Sequence, residues 1–115
     1  MQVQIFGTRS CAETRKALRF FKERRIDVHF NDLGQRAASR GELRRFAQKF
    51  GVDALVDRGA KRFRSLGLHQ ANYGEERWLE ILADEPGILV TPLVRRGSEL
   101  DVGWTEETWR ARIDG

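Results

Sequence analysis

The residue of this chain best suited to covalent chemistry is Cys11, its single cysteine. Arg9 precedes it by two residues and Arg15 follows it by four. In a helix the four-residue spacing places the Cys11 and Arg15 side chains on one face. The thiolate is the nucleophilic form of cysteine, and nearby cations favour it over the neutral thiol. These three residues therefore predict an ionised, reactive sulfur suited to thiol–disulfide exchange.

The surrounding residues predict that Cys11 lies at the start of a helix. The apolar segment 3–6 predicts a short strand, which ends in a loop. Ser10 and Glu13 then have the spacing of a capping box, in which the serine hydroxyl accepts a hydrogen bond from the backbone N–H of Glu13. Cys11 would occupy the first helical turn, where free N–H groups and the helix dipole favour a thiolate. Loss of the Ser10 hydroxyl is then expected to cost about 1 kcal/mol of stability.

A second interpretation of Cys11 stays open at this point. Free cysteine is among the most often buried residue types and packs as a small hydrophobe. Arg9 and Arg15 are then ordinary solvated residues. The strand, loop and capped-helix context favours the reactive thiol over this alternative.

The hydrophobic periodicity predicts a β-α-β beginning and a helical middle. The second strand is predicted around 26–30, and helices are predicted over 39–51 and 74–84. Proline within a strand is expected at an edge, a start or a bulge, so Thr91 and Pro92 are predicted to start the third strand.

The end of the chain predicts a hairpin and a last helix. Gly97 marks the turn, 100–102 continues as a strand, and Thr105 is predicted to cap a helix that turns Trp109 inward. The whole order fits an α/β domain with a small mixed β-sheet flanked by helices.

The composition describes one soluble globular domain spanning 1–115, with 40% hydrophobic and 33% charged residues. No apolar run approaches the roughly 20 residues that cross a bilayer, and the N-terminus lacks a signal-peptide pattern. We therefore expect no membrane partner and a cytoplasmic location. A single cysteine forms no internal disulfide, which agrees with a reducing compartment.

The net charge of +4 raises the question of nucleic-acid binding. The arginines, however, are spread along the chain and interleaved with 17 acidic residues. Most of these arginines are predicted to lie on solvated helix faces, so nucleic acid is not an expected partner. His29 and His69 lack partners at ligand spacing, so no metal site is predicted.

Four segments resemble, in order, the arsenate reductase (ArsC) and Spx family of thioredoxin-like proteins: FGTRSCAETRKAL, RSLGL, ILADEPGILVTPLV and VGWTEETW. Cys11 followed by three residues and Arg15 matches the family's active-site loop. The resemblance covers nearly the whole chain. It implies a thioredoxin-like fold with a helical insertion over about 39–68, and a cis bond between Thr91 and Pro92 that faces the thiol.

The chain departs from the arsenate reductases where they carry arginines that bind the oxyanion. Asp57 stands at one of these positions, with Arg58 beside it, and Thr91 stands at another. No arginine lies close to the VGW segment. The resemblance therefore favours the thiol-reductase-like members over true arsenate reductases. Thr14 stands where Spx-type regulators often have a second cysteine, which excludes an internal disulfide switch.

The resemblance implies two functions of different classes. In the first, the protein is a monothiol oxidoreductase without a bound cofactor, and Cys11 forms a mixed disulfide that an external thiol resolves. The thiol is glutathione as co-substrate, or a glutaredoxin- or thioredoxin-type protein. In the second, the protein is an Spx-like regulator that binds RNA polymerase without turnover. A divergent member with no redox role is a third, simpler alternative.

The oxidoreductase interpretation assigns roles to particular residues. Arg9 and Arg15 would stabilise the thiolate. The basic region around Arg58 and Lys61 would meet the glutathione carboxylate. Thr91, preceding Pro92, would offer backbone hydrogen bonds to a peptide-like thiol.

Overall fold

The structure is a computed structural model that describes residues 2–115. Its helices and strands follow in the order β1 (Val3–Gly7), α1 (Ala12–Glu23), β2 (Val28–Asp32), α2 (Arg40–Phe50), α3 (Lys61–Ser65), α4 (Glu75–Asp84), β3 (Leu93–Arg96), β4 (Glu99–Val102) and α5 (Glu106–Asp114). Short 3₁₀ helices occupy Val52–Leu55, Leu68–Gln70 and Pro86–Ile88. None of the helices within 2–115 has the length and apolar character needed to span a bilayer.

The described chain divides into two compact units. The first contains the residues up to 31 together with 91–115, and the second contains 32–90. The first unit therefore holds Cys11 and nearly the whole sheet. In the second unit the helices continue through α4, beyond the expected insertion of about 39–68. The expectation of one domain with that insertion stays a prediction.

The sheet is mixed and has the strand order β2-β1-β3-β4. β1 pairs antiparallel with β3, with Ile5 opposite Val94, and β3 pairs antiparallel with β4, with Leu93 opposite Val102. These pairings place the end of β1 beside the start of β3. The predicted mixed sheet flanked by helices is confirmed.

The core of the first unit forms because alternate strand residues and one face of α1 are apolar. Phe21 on α1 and Trp109 on α5 are fully buried, and their rings meet edge to face with centroids 5.6 Å apart. The cluster comprises Val3, Ile5, Ala17, Phe20, Phe21, Val94 and Trp109. This packing fixes α1, and with it the start of the helix, against the sheet.

The predicted helix over 39–51 is confirmed as α2. Ser39 is its N-cap, and the Ser39 hydroxyl accepts a hydrogen bond from the backbone N–H of Glu42 at 3.1 Å. Gly51 ends the helix with φ at 84°, a conformation that glycine adopts without strain. The predicted helix over 74–84 is confirmed as α4.

The predicted capping box at α1 is wrong. The N-cap is Cys11, one residue later than expected, and Ser10 makes no bond to Glu13. The backbone N–H of Cys11 donates to the Thr8 carbonyl at 3.1 Å, and the Thr8 and Ser10 hydroxyls lie 3.1 Å apart. The loop thus forms its own turn, which keeps the serine hydroxyl at Thr8 and away from the helix.

A pair of serine substitutions tests this assignment. Ser39→Ala removes a real cap and should lower the free energy of unfolding by about 1 kcal/mol. Ser10→Ala removes only an exposed contact with Thr8 and should change it much less. Urea unfolding of the two variants and the wild type measures both effects. Equal losses would show that Ser10 caps α1 after all.

Candidate active site at Cys11

Cys11 lies where β1 has ended and α1 begins. As the N-cap residue it has extended backbone angles, and its carbonyl accepts the N–H of Arg15 at 3.1 Å. Its side chain is partly exposed. The sulfur is therefore beside the free N–H groups of the first helical turn and is open to a reactant.

Thr91, eighty residues after Cys11 in the chain, is in contact with the sulfur. Its hydroxyl donates to Cys11 Sγ at 3.2 Å, and its carbonyl oxygen lies 3.7 Å from the same sulfur. The bond between Thr91 and Pro92 is cis, as the resemblance implied. Pro92 is buried, and β3 begins at the next residue.

Thr14, one helical turn after Cys11, is fully buried. Its hydroxyl has no hydrogen-bond partner of ordinary geometry, although its influence on Cys11 acts to lower the pKa of the thiol. The side chain packs on the backbone of Gly7, where an added Cβ would lie 2.4 Å from Thr14 Oγ1. A glycine is therefore required at the end of β1.

The pKa of the Cys11 thiol is lowered below its ordinary value. The largest single influence, partial burial, acts to raise the pKa. The hydroxyls of Thr14 and Thr91, followed by the backbone N–H groups of Thr14 and Glu13, act in the opposite direction and together outweigh burial. The thiolate is thus favoured mainly by hydrogen-bond donors.

The two arginines beside Cys11 are engaged with the loop. Arg15 Nη1 donates to the Arg9 carbonyl at 2.7 Å. The Arg9 guanidinium lies over the Phe30 ring, 4.7 Å from its centroid. Neither arginine is among the causes of the lowered pKa of Cys11. Their role as thiolate stabilisers stays a prediction, and the structure supports a role in shaping the loop.

Arg58 and Lys61 belong to the second unit. Arg58 pairs with Asp53 at 3.3 Å, and its guanidinium lies 5.6 Å from the centroid of the Phe63 ring. Lys61 is exposed at the start of α3. Their assignment to the glutathione carboxylate stays a prediction.

Sequence reasoning passed over Thr14 as a residue that lowers the pKa of Cys11. It treated this position only as the place of a missing second cysteine. The available signal was the three-residue spacing from Cys11, which puts the two side chains on one face of a helix. Within 2–115, no three His, Cys, Asp or Glu side chains come together in a group suited to a metal ion.

Comparison with known proteins identifies the family. The model of the ArsC family matches residues 6–112, which include the Cys11 loop and the cis proline. The chain belongs to the ArsC family. This ArsC-family chain is 27% identical over 112 residues to the global transcriptional regulator Spx 2 of Oceanobacillus iheyensis, covering 96% of this chain and 82% of the relative.

A second relative of this ArsC-family chain is the arsenate reductase of Neisseria meningitidis serogroup B. The two are 27% identical over 107 residues, covering 89% of this chain and 90% of the relative. Among solved structures, the YffB (PA3664) protein superposes with a TM-score of 0.86 at 23% identity, covering 95% of this chain and 96% of the other. The fold is thioredoxin-like, as expected. These two relatives are equally similar to the chain, and one is named as an enzyme and the other as a regulator. Sequence identity therefore does not distinguish the two functions, whereas the chemistry of Cys11 can.

The donors at the sulfur generate a testable prediction. Thr91→Val removes a hydroxyl while keeping the side-chain shape, so the thiolate loses a donor and the pKa of Cys11 should rise. Less thiolate is then present near neutral pH, and alkylation by iodoacetamide should slow. Thr14→Val should act in the same direction, and Thr14→Ser should restore the rate. The measurement is the alkylation rate as a function of pH.

Arg15→Ala is the matched comparison because it removes a neighbouring cation and leaves both hydroxyls in place. We expect it to slow alkylation less than Thr91→Val does. A larger effect of Arg15→Ala would show that charge, and not hydrogen bonding, sets the reactivity of Cys11.

Proposed function

We propose that this ArsC-family protein is a monothiol oxidoreductase, with Cys11 as the nucleophile and an external thiol as the reductant. The observation that carries the proposal is the partly exposed Cys11 sulfur, which accepts a hydrogen bond from Thr91 at 3.2 Å. The lowered pKa of the thiol adds support, because the thiolate is the attacking species. A cysteine that served only as core packing has no use for these donors.

In the first step, the Cys11 thiolate attacks one sulfur of a substrate disulfide. A bond forms between Cys11 Sγ and that sulfur, while the substrate S–S bond breaks. The other substrate sulfur leaves with the electron pair and takes a proton from water. Cys11 is then held in a mixed disulfide with half of the substrate.

In the second step, the thiolate of an external thiol attacks the substrate sulfur of the mixed disulfide. A new disulfide forms between the external thiol and the substrate, and Cys11 leaves as the thiolate. The chain's sequence contains no second cysteine, so the resolving sulfur has to come from another molecule. Glutathione, or a glutaredoxin- or thioredoxin-type protein, supplies this chemistry, and its abundance in a reducing compartment favours a cytoplasmic reaction.

The donors around Cys11 have separate functions in these steps. The hydroxyls of Thr14 and Thr91 stabilise negative charge on the sulfur before attack and again when Cys11 leaves. Thr14 is sealed from solvent, so water does not compete for its hydroxyl. Thr91 is only partly buried, and its backbone is available to a peptide-like thiol beside the sulfur.

The site is less suited to arsenate. A tetrahedral dianion requires permanent cations and several donors. Thr91, which stands at one arginine position of the family, brings a neutral hydroxyl to the sulfur. Asp57, at another, is exposed and its carboxylate accepts the backbone N–H of Gly59 at 3.1 Å.

A regulatory function is the alternative, and the likeness to a relative named Spx 2 favours it. In that case the chain would bind RNA polymerase and perform no turnover. Thr14 in place of a second cysteine removes an internal disulfide switch but leaves binding intact. The reactivity of Cys11 distinguishes the two functions, since binding alone requires no thiolate.

Reaction with oxidised glutathione tests the proposed function. Wild-type protein should form one glutathione adduct per chain, which reduced thiol removes, because Cys11 is the single cysteine. Cys11→Ser should form none and keep the fold. Thr14→Cys places a second thiol near Cys11. This thiol should attack the glutathione adduct, form an internal disulfide with Cys11 and release reduced glutathione. Intact-mass measurement distinguishes these three products.

The outcome that contradicts the proposal is equally specific. If Cys11 reacts with oxidised glutathione no faster than a small free thiol does, the sulfur is not activated. The regulatory alternative is then favoured.

Arsenate turnover gives a separate prediction. With arsenate, glutathione and glutaredoxin, the wild type should show little activity above the Cys11→Ser control, because permanent cations are missing at two family positions. Thr91→Arg restores one cation and should raise the rate. Product arsenite, measured over time, is the readout. Efficient turnover by the wild type would overturn the prediction.

A further inference from the structure

A groove on the first unit has a lining that does not include Cys11, Thr14 or Thr91. Its volume is about 430 Å³, and it runs along the C-terminal half of α1, the turn that follows and β2. Partly buried apolar side chains contributed by these elements line it: Leu18, Ile26, Val28 and Phe30. Each packs against the core of the unit from outside.

Three cations line the same groove: Arg9, Lys22 and Arg25. Within the described chain none of these three cations forms an ion pair. Arg24, which adjoins Arg25, does form one, with Asp114 at 3.0 Å. A single acidic residue, Asp27, shares the lining. The groove therefore combines an apolar surface with an excess of unpaired positive charge, which is complementary to an acidic, partly apolar ligand.

Arg25 occupies a backbone conformation that normally belongs to glycine. Its φ is 58°, in the left-handed region. The turn is the one that ends α1, where the N–H of Ile26 donates to the Phe21 carbonyl at 3.0 Å. Glycine would adopt this conformation with less strain. The strained arginine is therefore better explained by a role of its side chain than by the needs of the turn.

The groove also lies beside a sheet edge. β2 is the terminal strand in the order β2-β1-β3-β4, so one side of it has no strand neighbour. An extended segment of another chain pairs readily with such an edge, and its alternate side chains then face the same surface.

The cations are spread along this edge. Arg25 adjoins Ile26 at one end, and the Arg9 guanidinium covers Phe30 at the other. Phe30 is four residues after Ile26, and four residues of extended chain rise by about 13 Å. This spread suits an extended segment with several carboxylates better than one small anion.

We propose that this groove is a docking site for an extended segment of a partner protein in which the residues facing the groove, every second one, include both apolar side chains and carboxylates. The segment adds to the free edge of β2. Its apolar side chains contact Val28 and Phe30, and its carboxylates meet Lys22 and Arg25. The site is independent of thiol exchange and is tested on Cys11→Ser protein.

The probe is a fluorescein-labelled synthetic peptide that repeats leucine, threonine, aspartate and threonine, so that leucine and aspartate share one face of the extended chain. Anisotropy measures its affinity, and backbone amide chemical shifts locate it. Shifts should concentrate between Leu18 and Phe30, and higher salt should weaken binding. Arg25→Gly and Lys22→Ala should each weaken binding about threefold, and the double variant about tenfold.

Two variants make the test decisive. Arg25→Gly removes the charge while easing the backbone, so weaker binding cannot come from unfolding. Arg19→Ala is the matched control, because it removes an exposed cation of α1 that does not line the groove. It should leave the affinity unchanged.

The proposal is overturned if Arg25→Gly binds as tightly as the wild type, or if shifts lie away from the groove. Equal binding of a peptide with serine in place of leucine would show simple charge attraction and would also overturn it. Groove shifts with phosphatidylglycerol vesicles and none with the peptide would assign the surface to a membrane instead.

Discussion

The hydrogen bond from the Thr91 hydroxyl to the Cys11 sulfur joins residues that are eighty positions apart in the chain. Its 3.2 Å length requires that α1 start where β1 ends and that the cis proline sit at the start of β3. The antiparallel pairing of β1 with β3 brings these two points together. The buried contact of Phe21 with Trp109 then fixes α1 so that the sulfur stays beside its donor.

The chemistry at this site depends on a balance between burial and hydrogen bonding. Partial burial disfavours a charged sulfur, and the hydroxyl and N–H donors more than compensate. A neutral donor differs from a permanent cation in what it stabilises. It supports one small negative atom at short range, but it does little for a dianion that approaches from solvent. The same arrangement therefore suits disulfide exchange more than oxyanion binding.

Much of the fold was predictable because the signals are local. Ser39 and Gly51 bound a helix whose caps depend on neighbouring residues alone, and both positions were predicted correctly. The predicted start of α1 was wrong by one residue, because Ser10 and Glu13 have the spacing of a capping box. In the structure the Ser10 hydroxyl lies beside the Thr8 hydroxyl and makes no bond to the helix. The cis bond before Pro92 came from family resemblance, since sequence alone leaves both isomers open.

The candidate site was predicted only in part. The place of Cys11 at the start of α1 follows from local sequence. The Thr91 donor depends on a contact between distant parts of the chain that no spacing rule reveals. Arg9 and Arg15 were expected to stabilise the thiolate. In the structure Arg15 donates to the Arg9 carbonyl and Arg9 lies over the Phe30 ring, so their effect on the thiolate stays a prediction.

The contact between Gly7 and Thr14 has a consequence for how this chain tolerates change. A side chain at position 7 would overlap the Thr14 methyl and hydroxyl, at 2.8 and 2.4 Å. Gly7, the last residue of β1, and Thr14, the third residue of α1, are thus mutually constrained in size. Substitution of Gly7 becomes acceptable only after position 14 has become smaller, and the buried hydroxyl beside the sulfur is then the group at risk. A substitution at the end of β1 would in this way change the surroundings of the Cys11 sulfur through Thr14, without altering Cys11 itself.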